Sequence, residues 1–317
     1  MTNNSNLYWR AYEYICIVSL NEAISQVRSS QIIENSILNC ARQDWNNIPQ
    51  ELKHQLKESA NAFIGKLFDL EPMILDDNWD ILFLKIQNDS EWEIWDVRDI
   101  VITRSDVQWE IWLSIKHNHF AVKHSRLSRN LDFGNSWYWI PCSVNYWNSV
   151  TPIFRYLQEK KELNVKWRDL SDKKDRVYIP LLNAFMEEIK NANRIENDLP
   201  KKLVEYLLWK YDFYKIISID SNRTTQMQVY NLRWKLGKSS NNKDPIMLIP
   251  VSSLPTRIID ICLKPDSDTT VELYMDNWWQ FSFRIHNAST IVEPSLKFDV
   301  QFVGLPSSII TINCIRN

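Results

Sequence analysis

Hydrophobic positions along the chain repeat with a helical period in some segments and a strand period in others. Apolar residues spaced by three or four predict helices over residues 8–29, 49–68, 119–128, 148–163, 174–194 and 200–210. Short alternating or continuous apolar runs predict strands over residues 80–87, 99–104, 109–116, 214–220, 225–234, 247–250, 270–275, 280–286, 296–303 and 309–315. This order predicts an α/β protein, with a mixed sheet flanked by helices and a β-rich C-terminal part.

The pattern changes from mixed helices and strands to mainly short strands near residue 210. We therefore expect a core with helical insertions over residues 1–210 and a β-rich part over residues 211–317. The sequence leaves open whether the second part is a domain of its own or adds strands around the same core.

Two neighbouring predicted strands carry polar residues that core packing does not require. The first begins with Asp99, and the second runs Glu110-Ile-Trp-Leu-Ser-Ile-Lys116. Alternation places Glu110, Trp112, Ser114 and Lys116 on one face, and the aliphatic residues between them face a core. A carboxylate that holds Mg²⁺ beside a lysine that orients water suits hydrolysis of a phosphodiester bond. Asp99 is therefore the expected metal ligand and Lys116 the expected catalytic lysine.

Helix, strand, Asp-led strand, strand ending in Lys and helix is the element order of the PD-(D/E)XK nuclease core. This chain has Ser114 where that motif usually has an acid, and we include Ser114 in the catalytic group. Glu110 is a further catalytic candidate that could assist a second metal, or an ion-pair partner for a basic residue. Glu13 on the first helix is a possible metal ligand, or a surface acid.

The segment from Lys116 to Arg129 has four Lys or Arg, three His and no acid. As a helix it would present Lys123, Arg126 and Arg129 on one face, which suits contact with a phosphate backbone or is a solvated surface. We add His119 to this DNA-binding group. The class of His-Asn-His nucleases is suggested by the tripeptide His117-Asn118-His119. That class is named for residues spread over a hairpin and a helix, however, so the tripeptide is a weak indication of it.

A second polar group lies in the β-rich part. Alternation puts Ser282, Arg284 and His286 on one strand face, with Asn287 just beyond. Arginine can bind guanine and asparagine can bind adenine through two hydrogen bonds each. Arg284, His286 and Asn287 are therefore candidates for DNA binding, or else the polar face of an edge strand.

Bulk composition narrows the class of protein. The net charge of −2 excludes a generic polycation. We see no run of about 18 apolar residues, as a membrane span needs, and no signal-peptide pattern at the start. Five dispersed cysteines without a Cys-x-x-Cys pair suit reduced thiols in a bacterial cytoplasm. We find no zinc-ligand spacing and no Gly-rich phosphate loop.

Glycine is scarce and tryptophan abundant. The chain has 4 glycines and 15 tryptophans, whereas average usage of about 7% would give roughly 22 glycines. Several tryptophans stand where the backbone or the packing asks for glycine, at positions 9, 112, 139, 209, 234 and 278. Our hypothesis is that some are glycines encoded by UGA and read as tryptophan under the wrong genetic code. The alternative is a genuinely Trp-rich chain.

Beyond the nuclease motif, several longer blocks of the sequence resemble the HaeIII-type restriction endonucleases. They include residues 10–14, 96–102, 109–128, 212–215, 281–290 and 293–299. The likeness covers nearly the whole chain. It implies a restriction-endonuclease-like fold, with the first part catalytic and the β-rich part concerned with DNA recognition.

The resemblance also implies an activity and partners. It implies a type II restriction endonuclease that cuts double-stranded DNA at GGCC with Mg²⁺ and is paired with a cytosine methyltransferase. By matching position, Asp99 would be the metal carboxylate, Lys116 the catalytic lysine and Glu13 an acid assisting the metal. A palindromic target suggests a homodimer, although monomers can also cut one strand at a time. A DNA-binding relative without activity and a structure-specific repair nuclease remain alternatives.

Overall fold

The computed structural model describes residues 2–76, 79–87 and 99–316. Asp96 to Arg98, part of one resembling block, lie outside the described residues. The chain forms two compact units. Unit 1 comprises Met1–Phe120, Trp209–Ser252 and Ser308–Asn317, and unit 2 comprises Ala121–Leu208 and Ser253–Ser307. The α/β prediction is confirmed, since helices accompany a mixed sheet and a separate antiparallel sheet carries most of the later strands.

A seven-stranded sheet forms the centre of unit 1, in the order β1-β2-β3-β4-β6-β7-β12. Its strands are β1 (Ser30–Ile32), β2 (Leu82–Ile86), β3 (Ile100–Arg104), β4 (Trp109–His117), β6 (Phe213–Ile219), β7 (Thr224–Tyr230) and β12 (Ile310–Ile315). The pairs β1–β2 and β4–β6 are parallel, and the other neighbouring pairs are antiparallel.

Helices cover one face of this sheet. They are α1 (Thr2–Ile24), α2 (Ser36–Asn47), whose start is capped by Asn35, and α3 (Gln50–Leu70), which begins after Pro49. Helical spacing turns Tyr12 and Ile15 of α1 toward Leu113 and Ile115 of β4 in one apolar core. The alternate side chains of β4, among them Ser114 and Lys116, therefore lie on the other face of the sheet.

A second sheet forms unit 2, in the order β5-β11-β10-β9-β8, and all its neighbouring strands are antiparallel. Its strands are β5 (Lys123–Ser128), β8 (Ile258–Leu263), β9 (Thr270–Met275), β10 (Gln280–His286) and β11 (Ser295–Gly304). The helices are α4 (Phe133–Tyr138), α5 (Val144–Glu162), α6 (Ile179–Ile195), preceded by a π-helical turn, and α7 (Leu199–Leu208). Trp137 and Phe185 from the helices pack on Phe283 and Phe298 of the sheet, and Phe133 packs on Phe185.

Most of the predicted elements are present, with six differences. The prediction of a helix over residues 119–128 is wrong, because this segment contains strand β5, whose hydrogen-bonding partner is β11. Residues 247–250 form no strand. Helices α2 and α4 and strands β1 and β8 were not predicted; α4 and β1 are short, and β8 has exposed Ile259 and Asp260 in its middle.

The units divide the chain differently from the expected boundary near residue 210. Unit 1 also contains residues 209–252 and the last ten residues of the chain. Unit 2 combines a mainly helical middle segment with β8 to β11. The reason is strand pairing: β6 adds to β4 in parallel, and β12 adds to β7. A boundary drawn from composition along the chain cannot represent two units that interleave.

A cluster of buried charges ties the end of β3 to the segment before β2. Arg104 donates from Nε and Nη2 to the two oxygens of Asp80 at 2.9 and 2.8 Å. Arg28 donates to the same carboxylate and to the carbonyl of Asp76. These hydrogen bonds, first those from Arg104, lower the pKa of Asp80 to about 2. The cluster therefore holds one end of the strand that Asp99 precedes.

Replacing Asp80→Asn is expected to lower the free energy of unfolding by about 3–5 kcal/mol. The buried Arg28 and Arg104 guanidinium groups lose a shared counter-charge, which leaves Arg104 with the more distant Asp76 carboxylate at 3.4 Å. Urea denaturation followed by circular dichroism measures this. Glu34→Gln, which removes an exposed ion pair with Arg42, is the control and should change stability far less. Equal effects of the two substitutions would contradict a special role for the buried cluster.

Candidate active site

The register of three adjacent strands brings the first predicted site residues together. In the antiparallel pair β3–β4, Ile100 lies opposite Leu113, so Asp99 one position earlier lies opposite Ser114. Cross-strand partners point to the same side of a sheet, and Lys116 lies two positions further along β4 on that side. Asp99, Ser114 and Lys116 therefore share one face at the same end of the strand pair.

Three donors converge on one carboxylate oxygen of Asp99. Its Oδ2 accepts hydrogen bonds from the Ile115 amide at 2.5 Å, from Lys116 Nζ at 2.9 Å and from Ser114 Oγ at 3.3 Å. Asp99 and Ser114 are buried, and the Lys116 side chain is 23% exposed. The carboxylate is thus held rigidly, while the ammonium group beside it keeps access to solvent.

Helix α1 places an aromatic ring beside Lys116 and carries a second acid. Trp9 Nε1 donates to the Ile115 carbonyl at 2.8 Å, and Lys116 Nζ lies 4.8 Å from the centre of the Trp9 ring. Glu13, one turn further along α1, is buried. Burial raises the pKa of the Cys16 thiol well above its usual value, and the charges of Glu13 and Asp99 raise it further. The charges of both carboxylates therefore reach the Cys16 thiol.

The donor chemistry of this region suits a hard divalent cation. Mg²⁺ prefers oxygen ligands and is commonly held by one or two carboxylates together with substrate phosphates. Asp99 and Glu13 supply two buried carboxylates, and a positively charged Lys116 adjoins one of them. Both residues were predicted as metal ligands, and the structure shows that both are buried.

A residue that sequence reasoning missed lies next to Ser114. In the parallel pair β4–β6, Ser114 pairs with Lys215, so Asp99, Ser114 and Lys215 form a row across three strands. Lys215 is 4% exposed, and its Nζ donates to the Phe120 carbonyl at 3.0 Å. Lys215 belongs to one of the resembling blocks, but only the pairing of strands a hundred residues apart shows where it lies.

Glu110 is not brought to this group. It is exposed at the start of β4, opposite Thr103. Six residues separate it from Lys116, which corresponds to about 20 Å at 3.3 Å per residue. The shared strand face was predicted rightly, but the distance along the strand separates the two residues.

His117 and Asn118 have structural partners. His117 Nε2 lies 2.7 Å from Asp220 Oδ2, which also accepts a hydrogen bond from Asn118 Nδ2 at 2.7 Å. Arg316 donates to the other oxygen of Asp220 at 3.0 Å. These bonds tie the end of β4 to the end of β6, so the literal His-Asn-His sequence joins strands. His119, the next residue but one, is half-buried after β4.

The basic segment is a strand, which changes what its residues share. In β5, Lys123 lies on the same side as buried Ser125 and Leu127, whereas Arg126 is exposed on the opposite side. Lys123 Nζ donates to the Tyr206 carbonyl at 2.6 Å and lies 3.9 Å from the centre of the Tyr206 ring. Burial lowers the pKa of Lys123 to about 7. The common helix face predicted for Lys123 and Arg126 is therefore wrong; Arg129 is exposed in the turn that follows.

Arg126 instead shares a face with the residues predicted in β10. Arg126 pairs with Lys297 of β11, and Lys297 pairs with His286. Arg284 lies exposed two positions before His286 and donates to Asp299 at 3.3 Å. We call the outward side of this sheet, formed by Arg126, Arg284, His286 and Lys297, the basic face of unit 2.

Asn287 follows the basic face in a turn. Its Nδ2 donates to the Ser289 carbonyl at 2.6 Å, and its own carbonyl lies 2.8 Å from His286 Nδ1. Lys297 was not singled out from the sequence. Its alternation with Phe298 and Leu296 in the β11 run is the signal that could have found it.

A mixed sheet covered by helices on one face, with a carboxylate–lysine pair at a strand end on the other, is the arrangement of a restriction-endonuclease-like core. The model of the HaeIII restriction endonuclease family matches residues 9–306. The chain is 48% identical over 313 residues to the type II restriction enzyme HaeIII of Haemophilus aegyptius, covering 98% of each chain. No solved structure matches.

The chain therefore belongs to the HaeIII restriction endonuclease family. It is a type II site-specific deoxyribonuclease, with double-stranded DNA as its substrate. Enzymes of this type generally use a divalent metal ion. In the part of the chain that the structure describes, no helix is long and apolar enough to cross a membrane.

Asp99→Asn is expected to weaken binding of Mn²⁺, used as a probe for a hard divalent cation, by at least about tenfold, because a charged oxygen ligand is lost. Isothermal titration calorimetry of the folded variants measures the affinity. Glu110→Gln is the matched comparison and should bind Mn²⁺ like the unaltered protein. If Glu110→Gln loses affinity and Asp99→Asn does not, the metal site lies at the other end of β4.

Proposed function

We propose that this enzyme hydrolyses phosphodiester bonds of double-stranded DNA at GGCC with Mg²⁺ as its cofactor, in the cytoplasm of a bacterium. The observation that carries the proposal is the Asp99–Lys116 pair at the strand end, within a chain of the HaeIII family. The resemblance to the HaeIII family implies the GGCC target, and the 48% identity over 98% of the chain supports carrying it over. A cytosine methyltransferase that protects the same sites is its expected genetic partner.

Asp99 and Glu13 would hold the metal ion in this proposal. When bound, Mg²⁺ supplies a positive centre that polarises the phosphate oxygens and favours ionisation of water. Ser114 and the Ile115 amide hold the Asp99 carboxylate in one orientation. Such fixed geometry matters, because displacement of a catalytic group by about 1 Å can cost a hundredfold in rate.

Lys116 would act on the attacking water and on the phosphate. Its ammonium group is partly exposed beside Asp99, so it can donate a hydrogen bond to a water molecule or to a non-bridging oxygen. Charge builds up on the phosphate oxygens as water attacks, and a lysine in a partly buried site offsets that charge strongly. The Trp9 ring limits the positions that the ammonium group can take.

The basic face of unit 2 would bind DNA. Arg126 and Lys297 suit contacts with backbone phosphates, as does exposed Arg129. Arg284 and Asn287 carry the side chains best suited to reading guanine and adenine edges. His119, His286 and Lys123 complete the set proposed from the sequence, with Lys123 the least accessible because it is engaged with Tyr206. A two-fold symmetric target favours a homodimer.

Asp99→Ala and Lys116→Ala are expected to lower cleavage by at least about 100-fold, because each removes a group that acts on the reacting phosphate. Plasmid cleavage with Mg²⁺ measures the rate, and filter binding with Ca²⁺ measures DNA affinity, which should stay within a few-fold. Asp106→Asn, exposed in the turn between β3 and β4, is the control. Unchanged cleavage by either alanine variant would contradict the assignment of Asp99 and Lys116 to catalysis.

The ends of the products separate the remaining alternatives. Fragments of a mixed-sequence DNA that all end within GGCC support the proposed target. Ends spread over many sequences would instead indicate a structure-specific nuclease. Tight binding without any cutting would indicate an inactive relative.

A further inference from the structure

A buried lysine lies inside the row that connects Asp99 to the rest of the sheet. Lys215 is the neighbour of Ser114 on β6, and Ser114 donates to Asp99. Lysine is almost never fully buried in proteins, since desolvation of the ammonium group is costly. Methionine would fill a similar volume without that cost, so packing alone gives no reason for a lysine at this position.

The contacts of Lys215 link it to the segment that follows Lys116. Its Nζ donates to the carbonyl of Phe120, four residues beyond Lys116. The hydrogen bonds of His117 and Asn118 to Asp220 anchor the same segment to the end of β6. The bond from Lys215 is therefore a further attachment of this segment, and it lies on the face that carries Asp99.

The charge of Lys215 acts on the same groups. Burial lowers its pKa to about 7, the charge of Lys116 lowers it further, and the charge of Asp99 raises it.

We propose that Lys215 is a positioning residue for cleavage, which fixes the segment after Lys116 through its hydrogen bond to the Phe120 carbonyl. This proposal rests on the proposed function of Asp99 and Lys116. It adds a buried amine beside Ser114, the residue that stands where the nuclease motif usually has an acid. Such supporting residues typically contribute about 10- to 100-fold to activity.

Lys215→Met is expected to lower kcat by about 10- to 100-fold, with KM for DNA changed less than about threefold and the midpoint of thermal unfolding unchanged or raised. Lys215→Arg should recover part of kcat, because it keeps a hydrogen-bond donor for the Phe120 carbonyl. Lys66→Met, exposed on α3, is the control and should match the unaltered enzyme. Single-turnover cleavage, substrate titration and thermal unfolding supply the three readouts.

The outcomes distinguish this proposal from the function it rests on. If the unaltered enzyme cuts and Lys215→Met cuts equally well, Lys215 has no positioning role. If Lys215→Met loses activity only in proportion to a lower unfolding midpoint, the role is structural and the proposal fails. If the unaltered enzyme and Lys66→Met do not cut DNA, the proposed function itself fails.

A second inference concerns tryptophans in a backbone conformation that suits glycine. Five of them have φ between 62° and 95°, at positions 79, 139, 209, 234 and 278. For a bulky residue such an angle is a genuine outlier, because the side chain meets the backbone, whereas glycine adopts it readily. Four of the six positions suspected from the sequence are in this set, and Trp79 was not suspected.

The local structure at two of these positions calls for glycine. Asn277 and Trp278 both have positive φ, at 55° and 66°, in the turn that joins β9 to β10. This is a type I′ turn, for which Asn-Gly is the strongest sequence signal. Trp139 ends α4 in the left-handed conformation at which glycine is most common. Both indoles are mostly exposed, at 71% and 66%, so burial does not offset the strain.

Two tryptophans that pack into the core differ from this set, although the buried Trp209 belongs to it. Trp137 stacks on Tyr206, and Trp279 is fully buried beside Phe281; neither has a positive φ. Trp9 and Trp112 also lack a positive φ, so for these two the glycine hypothesis keeps only its argument from composition and position.

We infer that the polypeptide made in its native host carries glycine at positions 79, 139, 209, 234 and 278, because its gene reads UGA as glycine. Codons at these five positions should be UGA, and peptides of the protein from that host should have the masses expected for glycine. UGG codons, or tryptophan in those peptides, would overturn the inference.

Stability supplies a test in an ordinary expression host. Trp278→Gly is expected to raise the midpoint of thermal unfolding by about 2 °C or more, since it removes the strain of a positive φ. Its neighbour is the matched control, because Trp279→Gly removes a buried side chain and should lower the midpoint. A lower midpoint for Trp278→Gly would contradict the assignment of glycine to this turn.

Discussion

The proposed active site depends on the hydrogen-bonded register of β3, β4 and β6. Side chains alternate along a strand, so a shift by one residue would turn Asp99 and Lys116 toward the helix-covered core. The register is held at both ends of the strand pair: Arg104 of β3 binds Asp80, and the Asp99 carboxylate accepts the Ile115 amide. Asp99 is thus part of the sheet as well as part of the site.

The same arrangement places several charged groups near Asp99. Asp99, Lys116 and Lys215 belong to one end of the unit 1 sheet, and Glu13 is buried on α1. Burial of charge is costly unless opposite charges and hydrogen bonds accompany it. Here the opposite charges limit that cost, and the clustering of such groups is typical of functional sites.

The sheet of unit 2 separates packing from recognition by its two faces. Aromatic side chains of the helices and strands fill the inner face, so polar residues are left on the outer face, as is common for antiparallel sheets. Arg126, Lys297 and His286 lie in one row across that face because of strand pairing. Because side chains alternate along a strand with a period of two, Arg126 shares a face with Lys297 and His286. The helical spacing of three does not apply to this segment.

The sequence by itself determined the local properties of this protein. Alternation and apolar runs predicted β3, β4, β9 and β10, the Asp99 and Lys116 motif indicated a nuclease, and the resembling blocks indicated the family. These signals are short-range patterns or long matching runs, so they can be read along the chain. The excess of tryptophan over glycine was also visible in this way.

Only the tertiary structure decided what depends on partners far apart in sequence. β5 is a strand because β11, about 170 residues later, supplies its hydrogen bonds. Lys215 joins the site through parallel pairing, whereas Glu110 is separated from it by the length of β4. The backbone angles likewise showed which tryptophans stand where glycine is favoured. The periodicity of a sequence predicts on which face of its own strand a side chain lies. Which residues of other strands lie next to it depends on pairing between segments that are far apart in the sequence.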